Sequence, residues 1–195
     1  MVRRAVVRGV GHYLPDRVVP NSEFEETLDT TNEWIVSRSG IERRHFAAED
    51  QPTSDLAARA ARAALAGAGM DATELDCIIV ATSTSDFTFP STATIVQSEI
   101  GASHAFAFDV QAVCAGFVFA LGNANAMILS GQADRVLVIG AETFSRIMDW
   151  TDRSTCVLFG DGAGAILLEA QEGAGTAEDR GILSADLNSD GTYRD

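Results

Sequence analysis

The sequence predicts an α/β fold built on a mixed, mostly parallel five-stranded sheet. Two observations carry this expectation. Apolar runs of strand length alternate with helical segments, the order of a sheet whose strands are joined by crossover helices. Those runs are also nearly continuous, as strands are when both faces of their sheet are covered. With 46% hydrophobic and 22% charged residues among 195, residues 1–195 read as one globular unit, or as part of a larger one.

The elements follow in order. Residues 4–10 form a first strand, and Gly11 to Pro20 a loop. Asn21 caps a short helix running to Leu28, and Thr31 or Asn32 caps a second that carries Trp34. Ser54 opens an alanine-rich helix, Asp55 to Ala68, which Gly69 ends. Residues 76–82 are a strand, Pro90-Ser91-Thr92 starts a helix reaching about Ile100, and Ala105 to Val110 is the next strand. A long helix runs from Cys114 to Ser130. Strands are expected at Arg135 to Ala141 and Ala163 to Glu169, then a turn over Glu172 to Asp179, with a last strand at Gly181 to Leu187. The helix after Cys114 is apolar on nearly every side, with Phe117, Val118, Leu121, Met127, Ile128 and Leu129 spread around it. Such a helix belongs between two layers, so one sheet leaves it half covered. The segment is therefore expected to be incomplete as a folding unit.

Charge and composition narrow the function classes. The formal net charge is -14, which argues against nucleic-acid partners and anionic membranes, since phosphates recruit basic surfaces. All 14 basic residues are arginine, so within this chain a Schiff-base lysine and the lysine of a phosphate-binding P-loop are excluded. Apolar runs are interrupted well before the ~20 residues of a membrane span, and Met1 to Val6 is too weakly apolar for a signal peptide. The cytoplasm is the expected compartment. Cys77, Cys114 and Cys156 lie far apart, and the three histidines show no ligand spacing. No disulfide framework or metal site is expected.

Three constellations hold candidate chemistry. Cys114 stands where a strand hands over to the buried helix. There, unpaired amides and the helix dipole favour a thiolate and lower a thiol's pKa. Ala115 and Gly116 leave room beside it, and its own N–H would serve as half an oxyanion hole. Position alone leaves two readings open, a nucleophile or a small core residue. Cys77 and Cys156 sit inside apolar runs and read as packing. Trp34 and Arg38, at i,i+4, share a helix face. With Arg153 nearby they would seat an aromatic base and its phosphates; the alternative is a packed tryptophan among solvated arginines, with Arg153 paired to Asp149 or Asp152. The glycine-rich run Gly160 to Ala165 precedes a strand rather than a helix, so it reads as a tight turn, not a nucleotide loop. His45 and His104 read as surface or loop histidines, His104 at the end opposite Cys114.

Taken together, these motifs resemble the β-ketoacyl-acyl-carrier-protein synthase III family of thiolase-fold condensing enzymes. The resemblance runs through Gly11-His12-Tyr13-Leu14-Pro15, Asp29 to Ile41, Asp109 to Phe117, Thr151-Asp152-Arg153 and Phe159 to Ala165, in family order. It implies the N-terminal half of a five-layer αβαβα arrangement. Cys114 would accept an acyl group, usually acetyl, from acyl-coenzyme A, and decarboxylation of malonyl-acyl-carrier protein would supply the carbanion that attacks it. Trp34 and Arg153 would stack on the adenine of coenzyme A, while Thr30 and Arg38 would bind its adenine end and phosphates. Phe89 would cross a homodimer interface into the partner's acyl pocket, and Phe144 and Phe159 would line the acyl channel. No cofactor is implied beyond the coenzyme A thioester as substrate. The family's histidine and asparagine motifs find no match here and would lie beyond residue 195. Other readings remain: acyl transfer in secondary metabolism, or a non-catalytic segment that only dimerises.

Overall fold

The computed structural model describes residues 1–192. The elements are β1 (Val2–Tyr13), β2 (Arg17–Pro20), α1 (Asn21–Glu25), α2 (Asn32–Ser39), β3 (Arg43–Phe46), α3 (Thr53–Ala68), β4 (Cys77–Ala81), α4 (Thr92–Ile100), β5 (Phe106–Val110), α5 (Gly116–Ser130), β6 (Arg135–Thr143) and β7 (Asp161–Gly173). The main sheet has the order β1-β7-β6-β4-β5, and β2 and β3 form a small second sheet. β4 pairs in parallel with both β5 and β6, whereas β7 runs antiparallel to β6 and to β1. Four strands thus share one direction and β7 opposes them, the mixed sheet that the sequence predicts.

Successive residues of a strand point to opposite faces, and the core divides accordingly. Ile78 and Val80 of β4 join Leu137 and Ile139 of β6 against Leu56, Ala60, Ala61 and Ala64 of α3. Cys77, Ile79 and Ala81 join Val136 and Val138 against Ala120, Ala124 and Ile128 of α5. The isoleucines, valines and leucine of this β4–β6 pair are wholly buried, each contributing about 1.5–3 kcal/mol. β1 crosses α3 at backbone contact. A Cβ on Gly9 would lie 2.2 Å from the Ala64 carbonyl oxygen, and one on Gly11 2.3 Å from that of Ala60. Only glycine in the strand, facing alanine in the helix, permits this approach.

Parallel direction places the connections that follow β1, β4, β5 and β6 at one end of the sheet. Residues 14–42 follow β1, 82–91 follow β4, 111–115 follow β5 and 144–160 follow β6, so all emerge beside the carboxyl ends of these strands. That is the end where open α/β sheets present ligand-binding residues.

Several local expectations differ from the structure. Asn21 does not cap α1; Pro20 precedes the helix with no side-chain cap, and the helix stops at Glu25. Instead the Asn21 amide donates to Asn32 Oδ1 and the Ile41 carbonyl, at 3.0 and 2.7 Å, so it ties α1 to α2. Part of the expected Gly11–Pro20 loop is β structure, because Arg17–Pro20 pairs with Arg43–Phe46. α3 starts at Thr53, and the Ser54 amide donates to Asp86 rather than Ser54 acting as cap. Residues 181–187 form no strand: Ile182 N donates once to the Ala5 carbonyl at 2.9 Å, and Leu187 then lies against Gly122 of α5. The stretch before them is therefore no hairpin. Asp179 closes it locally by accepting from the amides of Ala174 and Gly175 and from Arg4, each at 2.9 Å.

α5 bears out its sequence pattern in half. Its inner face packs on the sheet, while Val118 on the other side is 53% exposed. Among the described residues, Val113–Ser130 is long and apolar enough to cross a membrane by length and composition. This exceeds the expectation from the interrupted runs, because Gly122, Asn123 and Asn125 lower the mean hydropathy too little to break the stretch.

Candidate active site

Two groups of side chains occupy the carboxyl end of the sheet. The first is built on α2, where Thr31 caps the helix by accepting from Trp34 N at 3.1 Å. Gly40, left-handed at φ 72, ends it. The helix is two turns long, held down by buried Ile35, and presents Trp34 and Arg38 together. The Arg38 guanidinium carbon lies 4.4 Å from the Trp34 ring centre. Arg153 reaches the same ring from the 144–160 connection, at 5.2 Å. Its partner is Asp29, through both the backbone oxygen and the carboxylate, not Asp149 or Asp152. Those two aspartates close successive turns instead, accepting from Thr151 N and Ser154 N at 2.9 Å. Hydrogen bonds from the Thr151 hydroxyl to Asp149 and from the Ser154 and Thr155 hydroxyls to Asp152, backed by these amides, hold both carboxyls below the usual carboxylate range. A cleft of about 240 Å³ opens among Trp34, Arg38, Ser39, Ser154 and Leu158. Thr30, just before the cap, has a buried hydroxyl with no partner. An aromatic face flanked by two guanidinium groups is an arrangement that can seat a planar base linked to phosphates; Thr30 is not among the residues lining the cleft.

The second group surrounds Cys114. β5 ends at Val110, whose carbonyl accepts from Thr82 N at 3.2 Å. The chain then passes through a 3-10 turn, Val113–Ala115, before α5 begins at Gly116. Cys114 is therefore on the turn that leads into the helix, not on the first residue of the α-helix itself. Val113 has φ 48, a left-handed conformation that a β-branched residue adopts at a cost of about 1–3 kcal/mol. This strained residue redirects the backbone directly before the thiol. Gly116 packs the helix start on β4, since a Cβ there would be 3.4 Å from that of Ala81. Cys114 is exposed, whereas Cys77 and Cys156 are buried. Burial pushes the Cys77 thiol up to about 12 and also raises that of Cys156. Both buried thiols are thus poor nucleophiles, and Cys114 is the accessible one.

Phe144 and Phe159 lie against each other. Their rings stack with centres 4.4 Å apart at 22°. They flank the paired ends Thr143 and Asp161 of β6 and β7. Buried Asp161 fixes this corner by accepting from Ser145 N and Oγ and from Ala47 N, at 2.6–2.8 Å. Phe89, 83% exposed, stands at the tip of the 82–91 connection. His45 lies on β3 with Nδ1 against the Pro15 carbonyl. His104 precedes β5, at the opposite end of the sheet from Cys114.

Two positioning residues give no sign in the sequence. Val113 is one, because nothing in Ala-Val-Cys-Ala announces a positive φ. Arg44 is the other. Buried, it stacks on Phe24 at 4.6 Å and donates to Val19 O, Asn21 Oδ1 and Val157 O, at 2.8–3.2 Å. It thereby joins β2, α1 and the segment that follows Arg153. Burial lowers its pKa.

The class that the fold defines is the thiolase-like α/β fold. The family model described as 3-oxoacyl-[acyl-carrier-protein (ACP)] synthase III matches residues 108–191, which include Cys114. The β-ketoacyl-[acyl-carrier-protein] synthase III of Roseobacter denitrificans is 75% identical over 195 residues, all of this chain and 60% of that protein. The crystal structure of 3-oxoacyl-(acyl carrier protein) synthase III from Pseudomonas aeruginosa PAO1 superposes with a TM-score of 0.89 at 46% identity, over 97% of this chain and 58% of that one. The enzyme of the same name from Aquifex aeolicus VF5 gives 0.84 at 47% identity, over 87% and 55%. The chain is thus similar to ketosynthase III proteins along its whole length, and it spans about 60% of the length of the curated relatives it matches.

Proposed function

We propose that this chain forms the acyl-accepting half of a β-ketoacyl-acyl-carrier-protein synthase III, as the family's N-terminal thiolase-like half-domain. In this reading acyl-coenzyme A lies with its adenine on Trp34 between Arg38 and Arg153, and Thr30 binds the adenine end. The Cys114 thiolate attacks the thioester carbonyl. The bond from carbonyl carbon to coenzyme A sulfur breaks, coenzyme A leaves as its thiolate, and the acyl group stays on Cys114. Malonyl-acyl-carrier protein then loses carbon dioxide, its carbanion attacks the acyl carbon, and the cysteine thiolate is released. The enolate formed on the way needs electrophilic support, a role for the histidine and asparagine that the family carries beyond the span of residues 1–195. Phe144 and Phe159 line the acyl channel. The thioester serves as substrate, with no further cofactor, and the cytoplasm, where acyl-coenzyme A is made, is the setting.

The observation that carries this reading is the pairing of one exposed thiol with an arginine-flanked tryptophan at the same end of the sheet. A homodimer is supported by β5, an edge strand that pairs on one side only and exposes 48% of Phe106. Open strand edges of this kind are templates for pairing. Joined there, two copies would bring the Phe89 tip of each toward the other. The test is carbon dioxide release from labelled malonyl-acyl-carrier protein by the full-length protein supplied with acetyl-coenzyme A. Release that yields a β-ketoacyl product and disappears in Cys114→Ala supports the proposal; a condensation rate unchanged in Cys114→Ala defeats it.

A further inference from the structure

Residues 82–91 leave β4 beside the thiol turn, and their first half is held by a buried polar network. Glu142, near the end of β6, accepts from Ser83 N at 2.8 Å and from the Thr84 hydroxyl. That hydroxyl in turn accepts from Thr143 N at 2.9 Å. Thr53, at the start of α3, donates to the Thr84 carbonyl at 2.6 Å, and its hydroxyl lies 2.8 Å from that of Thr143. Asp86 accepts from Ser54 N at 3.2 Å, while Thr82 N donates to Val110 at the end of β5. Thr53, Thr84 and Thr143 are all buried, where hydrogen-bond networks are rigid and costly to break. Beyond Asp86 the restraint stops, and Phe87 and Phe89 are 61% and 83% exposed. The connection is thus a rigid base, tied to β5, β6 and α3, that carries an aromatic tip. A cleft of about 280 Å³ separates it from Asp109 and Gln111, just before Cys114.

We propose that Glu142, acting through Ser83 and Thr84, is a positioning residue that sets how far the Phe87–Phe89 tip projects. It thereby sets the length of acyl chain accepted at the neighbouring copy's site. This rests on the reading above that Phe89 enters that site. Glu142 touches no reacting atom. Its carboxylate fixes the backbone at Ser83 and orients the Thr84 hydroxyl, which has one proton to give and directs it to Glu142 while accepting from Thr143. If that orientation is lost, the base loosens and the phenylalanine no longer ends the pocket at a fixed depth. A hydrophobic pocket discriminates by about 10–200-fold per methylene, so a small displacement of the tip is readable as altered selectivity.

The experiment compares kcat/KM for acetyl-coenzyme A and hexanoyl-coenzyme A in the full-length protein and its Glu142→Gln, Thr84→Val, Thr84→Ser and Phe89→Ala variants. Hydrogen exchange over residues 82–90 is measured alongside. Thr84→Val and Glu142→Gln should move the acetyl-to-hexanoyl ratio about tenfold toward the longer chain, in the same direction as Phe89→Ala, and speed exchange in the connection. Thr84→Ser, which restores the hydroxyl, should stay near the parent ratio. If Phe89→Ala shifts the ratio and the network variants lower both rates equally, the positioning role is overturned while the dimer reading stands. If Phe89→Ala leaves the ratio unchanged, both are overturned.

Discussion

Trp34→Ala tests the coenzyme A seat most sharply. The indole carries two guanidinium contacts, at 4.4 and 5.2 Å, and offers the face on which a base would stack. Stacking of a base on an aromatic side chain is worth about 1–3 kcal/mol by alanine substitution. Arg38 lies on the exposed helix surface and Arg153 is held independently by Asp29, so both would remain and keep part of the phosphate affinity. A net loss of roughly 1–2 kcal/mol is a rise of about 5–30-fold in KM for acetyl-coenzyme A. Because the adenine end takes no part in bond making, the contact is equal in ground and transition states, and kcat should hold. Steady-state kinetics with acetyl-coenzyme A and with acetyl-pantetheine, which lacks the nucleotide, separates the effects. The variant should match the parent on acetyl-pantetheine. A KM for acetyl-coenzyme A within twofold of the parent, or an equal loss on both substrates, would refute the assignment.

The other expectations are simpler to read. Among the three thiols, iodoacetamide should modify Cys114 first and leave Cys77 untouched at neutral pH, since burial holds the Cys77 thiol near 12; peptide mapping decides. Gly11→Ala should destabilise by about 1–3 kcal/mol in chemical denaturation, because its Cβ must displace the α3 backbone. Thr31→Ala should cost about 1 kcal/mol through loss of the α2 cap and should raise KM for acetyl-coenzyme A, since the cap sets Trp34. Arg4 and the amides of Gly175 and Ala174 hold the Asp179 carboxyl below its usual range. The folded value is the depressed one, so this stability is complete above the unfolded carboxylate pKa of about 4 and fades as pH falls through the lowered value. Asp179→Asn should remove that part of the acid dependence of the melting temperature, leaving a flatter profile on the acid side.

The sheet was legible because its signal is dense. β4 and the body of β6 are runs too apolar for an exposed segment, and the cap at Thr31 and the stop at Gly69 mark helix ends. Short pieces held together by side chains were not. β2 and β3 are four residues each, paired across the segment that holds α1 and α2, and neither has a pattern of its own. Asn21 has the composition of a cap, but tertiary bonds to Asn32, Ile41 and Arg44 take up its side chain. At the site, residue type gave the thiol, the tryptophan and the arginines, while geometry gave their order. Arg153 goes to Asp29 because the 144–160 connection folds over α2, a relation no local spacing encodes. The strain at Val113 is equally invisible, because no residue type around it signals a positive φ.

Condensation in the proposed reaction begins with transfer of the acyl group to the Cys114 sulfur. The direct measurement is to mix full-length protein with acetyl-coenzyme A in the absence of malonyl-acyl-carrier protein, quench in acid, digest, and locate the acetyl group by peptide mass spectrometry. One acetyl thioester is expected, on the peptide containing Cys114, removed by hydroxylamine and absent from Cys114→Ala. Acetylation of Cys77 or Cys156, or no covalent adduct while coenzyme A is still released, would contradict it.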